Sequence, residues 1–563
     1  MVVKKKTIKN QILIDKNHLL HILADKGRYL VSDTLSRRLS LEKLGKIQFD
    51  ALIIGGGATG AGTALDSALR GLNVALIEKR DFSSGTSSRS TKLIHGGVRY
   101  LGQFHFTLIR EALEERKRLL LNIPYLVKPL KFILPTYNIF EKPYYNLGLS
   151  MYDILAGDSG LPFHKMIGRD EAIKEIPSIK IEHLKGGISY YDAQFNDSRL
   201  NVLLARCAAI EGATIANRVE LISLIKENGK ITGAIAKDLI SDRMIEIKSK
   251  VVVNASGVYI DSIRQMDEPD CEPILSPSQG IHLVFSKDKV QCNAAMIIPK
   301  TSDGRVVFII PWEDYVIMGT TDTPVEKITE EPLPVRNEID FLLKTGKEYL
   351  STPLSKGDIL SVFIGLRPLI SLSGSKNTKN ISREEIILIS KSGLITMGGG
   401  KWSTYRKMAE DLTDTMIKDA RLVPRNACST YSYNYPGRDG YSDNLHQTIS
   451  RAYNVSIPVA TRLKNYYGGE AFDILGKKPK EINKNSGYFA EEVFHFIQNE
   501  FALSIMDVIS RRFRITFLNL NLAREFVKPI SDLMSKELKW TSSKKATEEK
   551  EAYELIDSLS KSI

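Results

Sequence analysis

From residue 49 the chain reads Phe49-Asp50-Ala51-Leu52-Ile53-Ile54, a near-continuous apolar run of the kind a parallel strand shows when both faces are covered. Glycines follow at once. An alanine-rich stretch over 58–70 predicts a helix, and a second apolar run over 73–77 ends on Glu78. The segment therefore predicts a β-α-β unit of about thirty residues. Val251-Val252-Val253-Asn254, followed by Ala255-Ser256-Gly257, predicts another strand of the same kind. The patterns over 280–285, 306–311 and 315–319 alternate and predict an antiparallel sheet covering a ligand. Beyond about residue 424 the period becomes helical. Val493, Ile497 and Phe501 recur at spacing four, and Ile509 and Phe513 repeat it.

The 563 residues allow roughly two to four domains with ample core. Charge adds a feature that the pattern lacks. Half of the formal +12 sits in the first fifty residues, where Lys4, Lys5, Lys6, Lys9 and their neighbours face few acids. Such a basic arm attracts polyanions: nucleic acid, anionic lipid or phosphorylated metabolites. Zinc-finger spacing, RNA-recognition signatures and basic helices with interleaved aromatics are all missing from the sequence, so no nucleic-acid partner is expected. Cys207, Cys271, Cys292 and Cys428 form no close pair and read as small buried side chains in a reducing compartment. No run of eighteen apolar residues exists, so no spanning helix is expected. Asp15 and Asp25 interrupt the N-terminal apolar stretches, unlike a secretory signal; those acids, and Lys in place of Arg, also argue against a mitochondrial presequence.

Gly55-Gly56-Gly57-Ala58-Thr59-Gly60 fits the GxGxxG pattern in full context: it follows a strand, opens a helix and is answered by Glu78. Glycines let the backbone turn tightly and approach a pyrophosphate, while the helix N-terminus offers free N–H groups to it. Glu78 suits an adenosine ribose and disfavours a 2′-phosphate, so NADP is not the expected cofactor. The long hydroxyl-rich loop from Ser83 to Lys92 has no use in a simple NAD domain. A flavin buried along its length needs such donors, which points to FAD. A second glycine cluster, Gly398-Gly399-Gly400-Lys401, opens a helix near residue 402, whose N-terminus suits the negative charge a flavin gains on reduction.

These motifs resemble the FAD-dependent glycerol-3-phosphate dehydrogenases from about residue 49 to 407. Thr86-Ser-Ser-Arg-Ser-Thr-Lys-Leu-Ile-His-Gly-Gly-Val-Arg-Tyr-Leu101 is close to diagnostic. Arg305-Val-Val-Phe-Ile-Ile-Pro-Trp312, Gly319-Thr-Thr-Asp322, Gly365-Leu-Arg-Pro-Leu369 and Gly399-Gly-Lys-Trp-Ser-Thr-Tyr-Arg406 follow in family order. Asp507-Val-Ile-Ser-Arg-Arg-Phe-Arg514 is similar, with weaker fidelity, to the Arg-rich helix of the family's last domain. The wording looks more like mitochondrial members than bacterial ones. No DxDxDG loop is present, so neither a metal site nor calcium control is expected.

The resemblance implies an α/β fold: a Rossmann-like FAD-binding domain interleaved with an antiparallel-sheet substrate domain, plus a C-terminal all-helical domain. The expected boundaries are a basic arm over 1–48; the FAD-binding domain over about 49–125, 190–265 and 370–424; the substrate domain over about 126–189 and 266–369; and the helical domain over 425–563. Expected FAD contacts are Gly55, Gly57, Ala58, Thr59 and Gly60 in the glycine turn, with Glu78 at the ribose. Thr86, Ser87, Ser88, Thr91 and Lys92 follow in the loop, continued by Leu93, His95, Gly96 and Gly97. Ser256 and Gly257, then Gly399, Gly400, Lys401, Trp402 and Thr404, complete the set. His95, Trp312 and Tyr405 read otherwise as packing residues.

The implied substrate is glycerol 3-phosphate, oxidised to dihydroxyacetone phosphate by hydride transfer from C2 to flavin N5. Its phosphate calls for guanidinium groups, which bind it in a fixed two-point geometry. The resemblance carries substrate contact onto Arg99, Tyr100, His282, Arg367, Arg383 and Lys401. His282 is the candidate base, with an ordinary imidazole pKa near 6.5, and Arg367 the group set against the developing carbonyl oxygen. A membrane quinone is the implied acceptor. Aromatic stretches over 135–152, too short to span, with Lys128, Lys131 and Lys142 nearby, read equally as an interfacial patch or as core. The expected place is a membrane surface, held peripherally or monotopically, mitochondrial or mitochondrion-derived, or the cytoplasmic face of a bacterial membrane. A homodimer is left open. Three alternatives remain: an oxidase using oxygen, an amine or 2-hydroxy-acid oxidoreductase of the same superfamily, and a flavin-loaded scaffold without turnover.

Overall fold

The computed structural model describes residues 33–97, 106–157, 160–301, 304–371 and 385–563, and two sheets organise them. The first runs in the order Glu385–Ile389, Leu394–Gly399, Met244–Asn254, Gln48–Ile54, Val74–Glu78, Thr214–Asn217. Its middle is parallel, with Ile54 level with both Ile77 and Asn254. The carboxyl ends of three strands thus meet at one edge, where Gly55, Glu78 and Ala255 emerge; such an edge is where open α/β sheets bind ligands. The helix Ala58–Leu69 packs on this sheet beside Asp197–Ile210 and Tyr405–Asp419. Apart from Leu65 and Asp66 its buried residues are Ala, Gly, Thr and Ser, so these helices approach closely.

The second sheet has ten strands, most of them antiparallel. Ser278–Ser286 lies between Tyr315–Gly319 and Ser361–Arg367. One face, with Ile281, Leu283 and Ile364, packs on Ile339 and Leu342 of the helix Arg336–Tyr349. Period two places Gly280, His282, Phe363, Gly365 and Arg367 on the other face. Gly186–Phe195 belongs to this sheet along its whole length, so the passage back to the first domain falls after Phe195, not at the expected residue 190.

The C-terminal region is helical, its longest helices being Leu520–Glu537 and Ser542–Lys561. The helix Ala490–Asn499 ends before Phe501, which turns to positive φ and packs edge-on against Phe82. The spacing-four pattern therefore outruns the helix: burial continues after the helical period stops.

Two sequence expectations change. Residues 33–44, assigned to a polar arm, form the helix Asp33–Leu44; Arg37 binds Asp238 at 2.7 Å and Leu44 is buried. The lysines expected to flank the aromatic stretch turn inward instead. Lys128 bonds Asn465, Lys131 pairs with Glu175 at 2.6 Å, and Lys142 donates to the Ile167 carbonyl. No described helix is long and apolar enough to cross a membrane.

Candidate active site

A cavity of about 470 Å³ opens at the carboxyl edge of the first sheet. Gly55, Gly57, Ala58 and Thr59 line it, with Glu78 on one side and Gly399, Gly400, Lys401 and Trp402 on the other. Gly55 has φ +109° and no room for a Cβ, which would stand 2.6 Å from the Ala255 carbonyl oxygen. Gly60 likewise has no space, its Cβ position falling on the Gly55 carbonyl. The tight turn that the glycine spacing predicts is therefore sterically enforced.

Glu78 ends its strand with one carboxylate oxygen accepting from Gly56 N at 2.6 Å and the other from Arg80 N at 2.8 Å. Burial raises its pKa, and the two N–H groups oppose that. Ser256 and Gly257 also line the cavity, and beside Gly257, at φ +61°, the Cβ position is open. A glycine turn at a helix start, an acceptor at the second strand end and a glycine cradle at the far side fit a dinucleotide. Gly55, Gly57, Ala58 and Thr59 would hold the pyrophosphate, Glu78 the ribose, and Gly399, Gly400 and Lys401 the redox end.

The hydroxyl-rich loop serves the protein more than expected. Ser87 Oγ accepts from Ala58 N at 2.9 Å, Thr86 Oγ1 donates to the Leu366 carbonyl at 2.7 Å, and Ser88 Oγ donates to the Gly85 carbonyl. Lys92 is fully buried and donates to Ser88 O (2.8 Å) and Asp197 (2.7 Å). Burial pushes its ammonium down to about 7, with Asp197 pulling upward. Gly96 donates its N–H to Tyr152 and packs against Leu113, Gly97 turns at φ +81°, and Leu93 pairs with Gln194. The His95 carbonyl accepts from Ser403, and Thr404 bonds the Lys401 carbonyl. Thr86 and Ser87 also line the cavity, whereas Ser88, Lys92, Leu93, His95, Gly96, Gly97 and Thr404 shape the loop from behind it. Trp402 both lines it and donates Nε1–H to Ser87 O at 3.0 Å. Trp312 and Tyr405 are buried, as packing residues should be, though Tyr405 also borders the cavity.

On the second sheet, Arg367 is fixed by several acceptors: Asp322 at 3.0 Å, Thr320 Oγ1 at 2.9 Å and the Thr321 carbonyl at 2.8 Å among them. A side chain at Gly280 would collide with it. His282 stacks on Phe363, ring centroids 4.6 Å apart, lies against Gly319, and shares a 3.0 Å hydrogen bond between Nε2 and Thr91 Oγ1. Burial, then the charges of Lys92 and Arg367, hold its pKa well below 6.5. This corrects the expected ordinary imidazole value. Gly365 brings the sheet onto the loop, because a Cβ there would stand 2.5 Å from the Arg89 carbonyl oxygen. His282, Arg367 and the loop thus share one junction. Arg99, Tyr100 and Arg383 lie outside the described residues.

Sequence reasoning missed Asp197, Asp322 and Glu331. Asp322 stood inside the motif 319–322 without a role. Glu331, in a surface loop, binds Arg89 at 2.5 Å and also Arg80. Asp197 and Glu331 follow no motif and become visible only through their partners.

Residues 50–406 match the model of the FAD dependent oxidoreductase family, and residues 428–545 that of the C-terminal domain of alpha-glycerophosphate oxidase. The chain therefore belongs to the FAD-dependent oxidoreductases and binds FAD. Within them it belongs with the glycerol-3-phosphate dehydrogenases. It is 41% identical over 526 residues to the mitochondrial enzyme of Mus musculus, covering 89% of this chain and 72% of that one. With the mitochondrial enzyme of Arabidopsis thaliana it shares 36% over 594 residues, covering 96% and 93%. The solved glycerol-3-phosphate dehydrogenase from Bacillus halodurans, complexed with FAD, superposes with a TM-score of 0.77 at 28% identity, over 95% of this chain and 99% of that one.

Proposed function

We propose that this protein oxidises sn-glycerol 3-phosphate to dihydroxyacetone phosphate and delivers the electrons to a quinone at a membrane surface. The observation that carries the reading is the meeting of Arg367, His282 and the dinucleotide loop at one junction. The names of relatives similar over most of the chain supply the substrate. Bound FAD supplies, at N5, an acceptor for the hydride leaving C2.

The chain's own residues do the rest. Arg367, its plane fixed by Asp322 and the 320–321 segment, faces the C2 oxygen and lowers the cost of its developing charge. His282 is the final acceptor of the hydroxyl proton. Lys401, with Arg99 and Arg383, binds the phosphate. The test is anaerobic addition of glycerol 3-phosphate to the purified protein. Loss of the oxidised-flavin absorption supports the reading; bleaching by an amine or 2-hydroxy acid and not by glycerol 3-phosphate would sink it. Reoxidation under nitrogen by a soluble quinone then separates the dehydrogenase from an oxidase, which needs oxygen.

Support for membrane contact comes from the helix Glu141–Ala156 and its flanks. Phe140 is 77% exposed, Leu147 66%, Ile154 78% and Phe163 72%. An apolar surface of this extent favours the interfacial reading over core packing. The mitochondrial designation of the relatives supports a mitochondrial or mitochondrion-derived location, and we place the protein at the inner membrane there.

A further inference from the structure

We propose that Thr91 is the relay through which the substrate's hydroxyl proton reaches His282. The inference rests on His282 as the base and adds the route. His282 is 2% exposed. Phe363 covers one face of its ring, Gly319 packs against the ring edge at Cδ2, and Nε2 faces the Thr91 hydroxyl. The Thr91 hydroxyl thus already occupies the hydrogen-bonding position at that nitrogen. The Thr91 side chain is half-buried, with its hydroxyl 3.0 Å from Nε2.

Thr91 is also held in place with unusual care. Asp197 Oδ2 accepts from Ser90 N at 3.0 Å, Ser90 Oγ at 2.8 Å and Lys92 Nζ at 2.7 Å, so both chain neighbours of Thr91 are tied to one carboxylate. Arg514, from the C-terminal region, binds Asp197 at 3.2 Å and Ser88 O at 2.7 Å. Asp197, Lys92 and Arg514 are fully buried. A hydroxyl between rigidly anchored neighbours keeps its hydrogen-bond distance, and a relay needs that distance.

The step balances. The substrate hydroxyl gives its proton to Thr91 Oγ1 while Thr91 gives its own to His282 Nε2. The C2–H bond breaks with its electron pair leaving to the oxidised cofactor, and the C2–O bond becomes a carbonyl. After the ketone departs, the proton returns from His282 through Thr91 to water. The route requires Nδ1 to carry the resting proton of the neutral ring.

The experiment uses FAD-loaded full-length protein, glycerol 3-phosphate and anaerobic stopped-flow reduction across pH. Thr91→Val should slow reduction by roughly a hundredfold, the usual weight of positioned proton transfer, and lose the acidic limb of the profile. Thr91→Ser should stay within a few-fold of the parent and keep the limb. Thr91→Val as fast as the parent, beside a slow His282→Ala, would overturn the relay and leave the base standing. A fast His282→Ala with an unchanged profile would overturn the base itself. Should Thr91→Val fail to hold FAD, the parent decides. Two protons in flight give a curved dependence of rate on deuterium fraction, and a straight line defeats the relay.

Discussion

At the scale of single residues, the environment of His282 makes an ordinary side chain unusual. A pKa well below 6.5 means that the neutral, proton-accepting form persists as pH falls through 6.5 and is lost only further down. The acidic limb of kcat/KM, which reports the free enzyme, should therefore lie well below 6.5. Substrate phosphate brings nearly two negative charges into the site, offsetting part of the positive field that depresses the imidazole. The limb of kcat should accordingly lie at higher pH than that of kcat/KM. Rate profiles of flavin reduction check both, and a kcat/KM limb at or above 6.5 would contradict the burial. Arg367→Lys makes a second case. The guanidinium spans Asp322 on one nitrogen and Thr320 and Thr321 on the other, a fork that a single ammonium cannot reproduce. The change should lower kcat as well as kcat/KM, by about 1.5–3 kcal/mol in the latter. If steady-state kinetics show only KM rising, Arg367 does not face the reacting oxygen.

At the scale of elements, the loop 325–335 runs from the second sheet across the cavity, which Thr329, Glu330 and Pro332 help to line. It is fastened by Glu331 to Arg80 and Arg89 and by Glu330 to Lys79 at 3.2 Å. The arginines hold the Glu331 carboxyl down to about 2, so the latch stays charged at any working pH. Glu331→Gln should speed FAD release several-fold, on the scale of one partly exposed charge-assisted bond. Flavin fluorescence regained after dilution measures it, and an unchanged rate would show that the loop does not retain the cofactor. Nothing in the sequence announced this latch, because ion pairs between distant loops leave no period or motif. The β-α-β unit was legible because its parts are local: apolar strand, enforced glycine turn and acidic strand end lie within thirty residues. The face carrying His282 and Arg367 was legible only in part. Alternation placed His282 on a strand and the 365–369 motif singled out Arg367, while their proximity to Thr91 depends on sheet register and on glycines at 280, 319 and 365 whose value is the space they leave.

At the scale of the whole molecule, the exposed apolar face around Phe140 and Ile154 makes a statement about partitioning. Replacing both by Ser removes large apolar groups that make few internal contacts, so stability should change by no more than about 0.5 kcal/mol per site. The share of protein left on salt-washed membranes should nevertheless fall sharply, since the apolar contribution to binding is the part that salt does not screen. Sedimentation of washed vesicles checks this, and retention equal to the parent's would assign the face to another role.

The buried arginines at 511, 512 and 514 bear on how the chain is made. Asp81 accepts from Arg511 at 2.7 Å and from both Nη atoms of Arg512, and Arg514 grips Ser88, so the last quarter of the sequence closes over a loop written in the first sixth. During synthesis the glycine turn and its loop leave the ribosome long before the residues that immobilise them, and N-terminal segments begin folding first. The cavity itself is incomplete until residues 397–408, which line it, have been made, and the fastening of its loop comes about a hundred residues later still. The order of residues along the polypeptide therefore separates building the pocket from locking it.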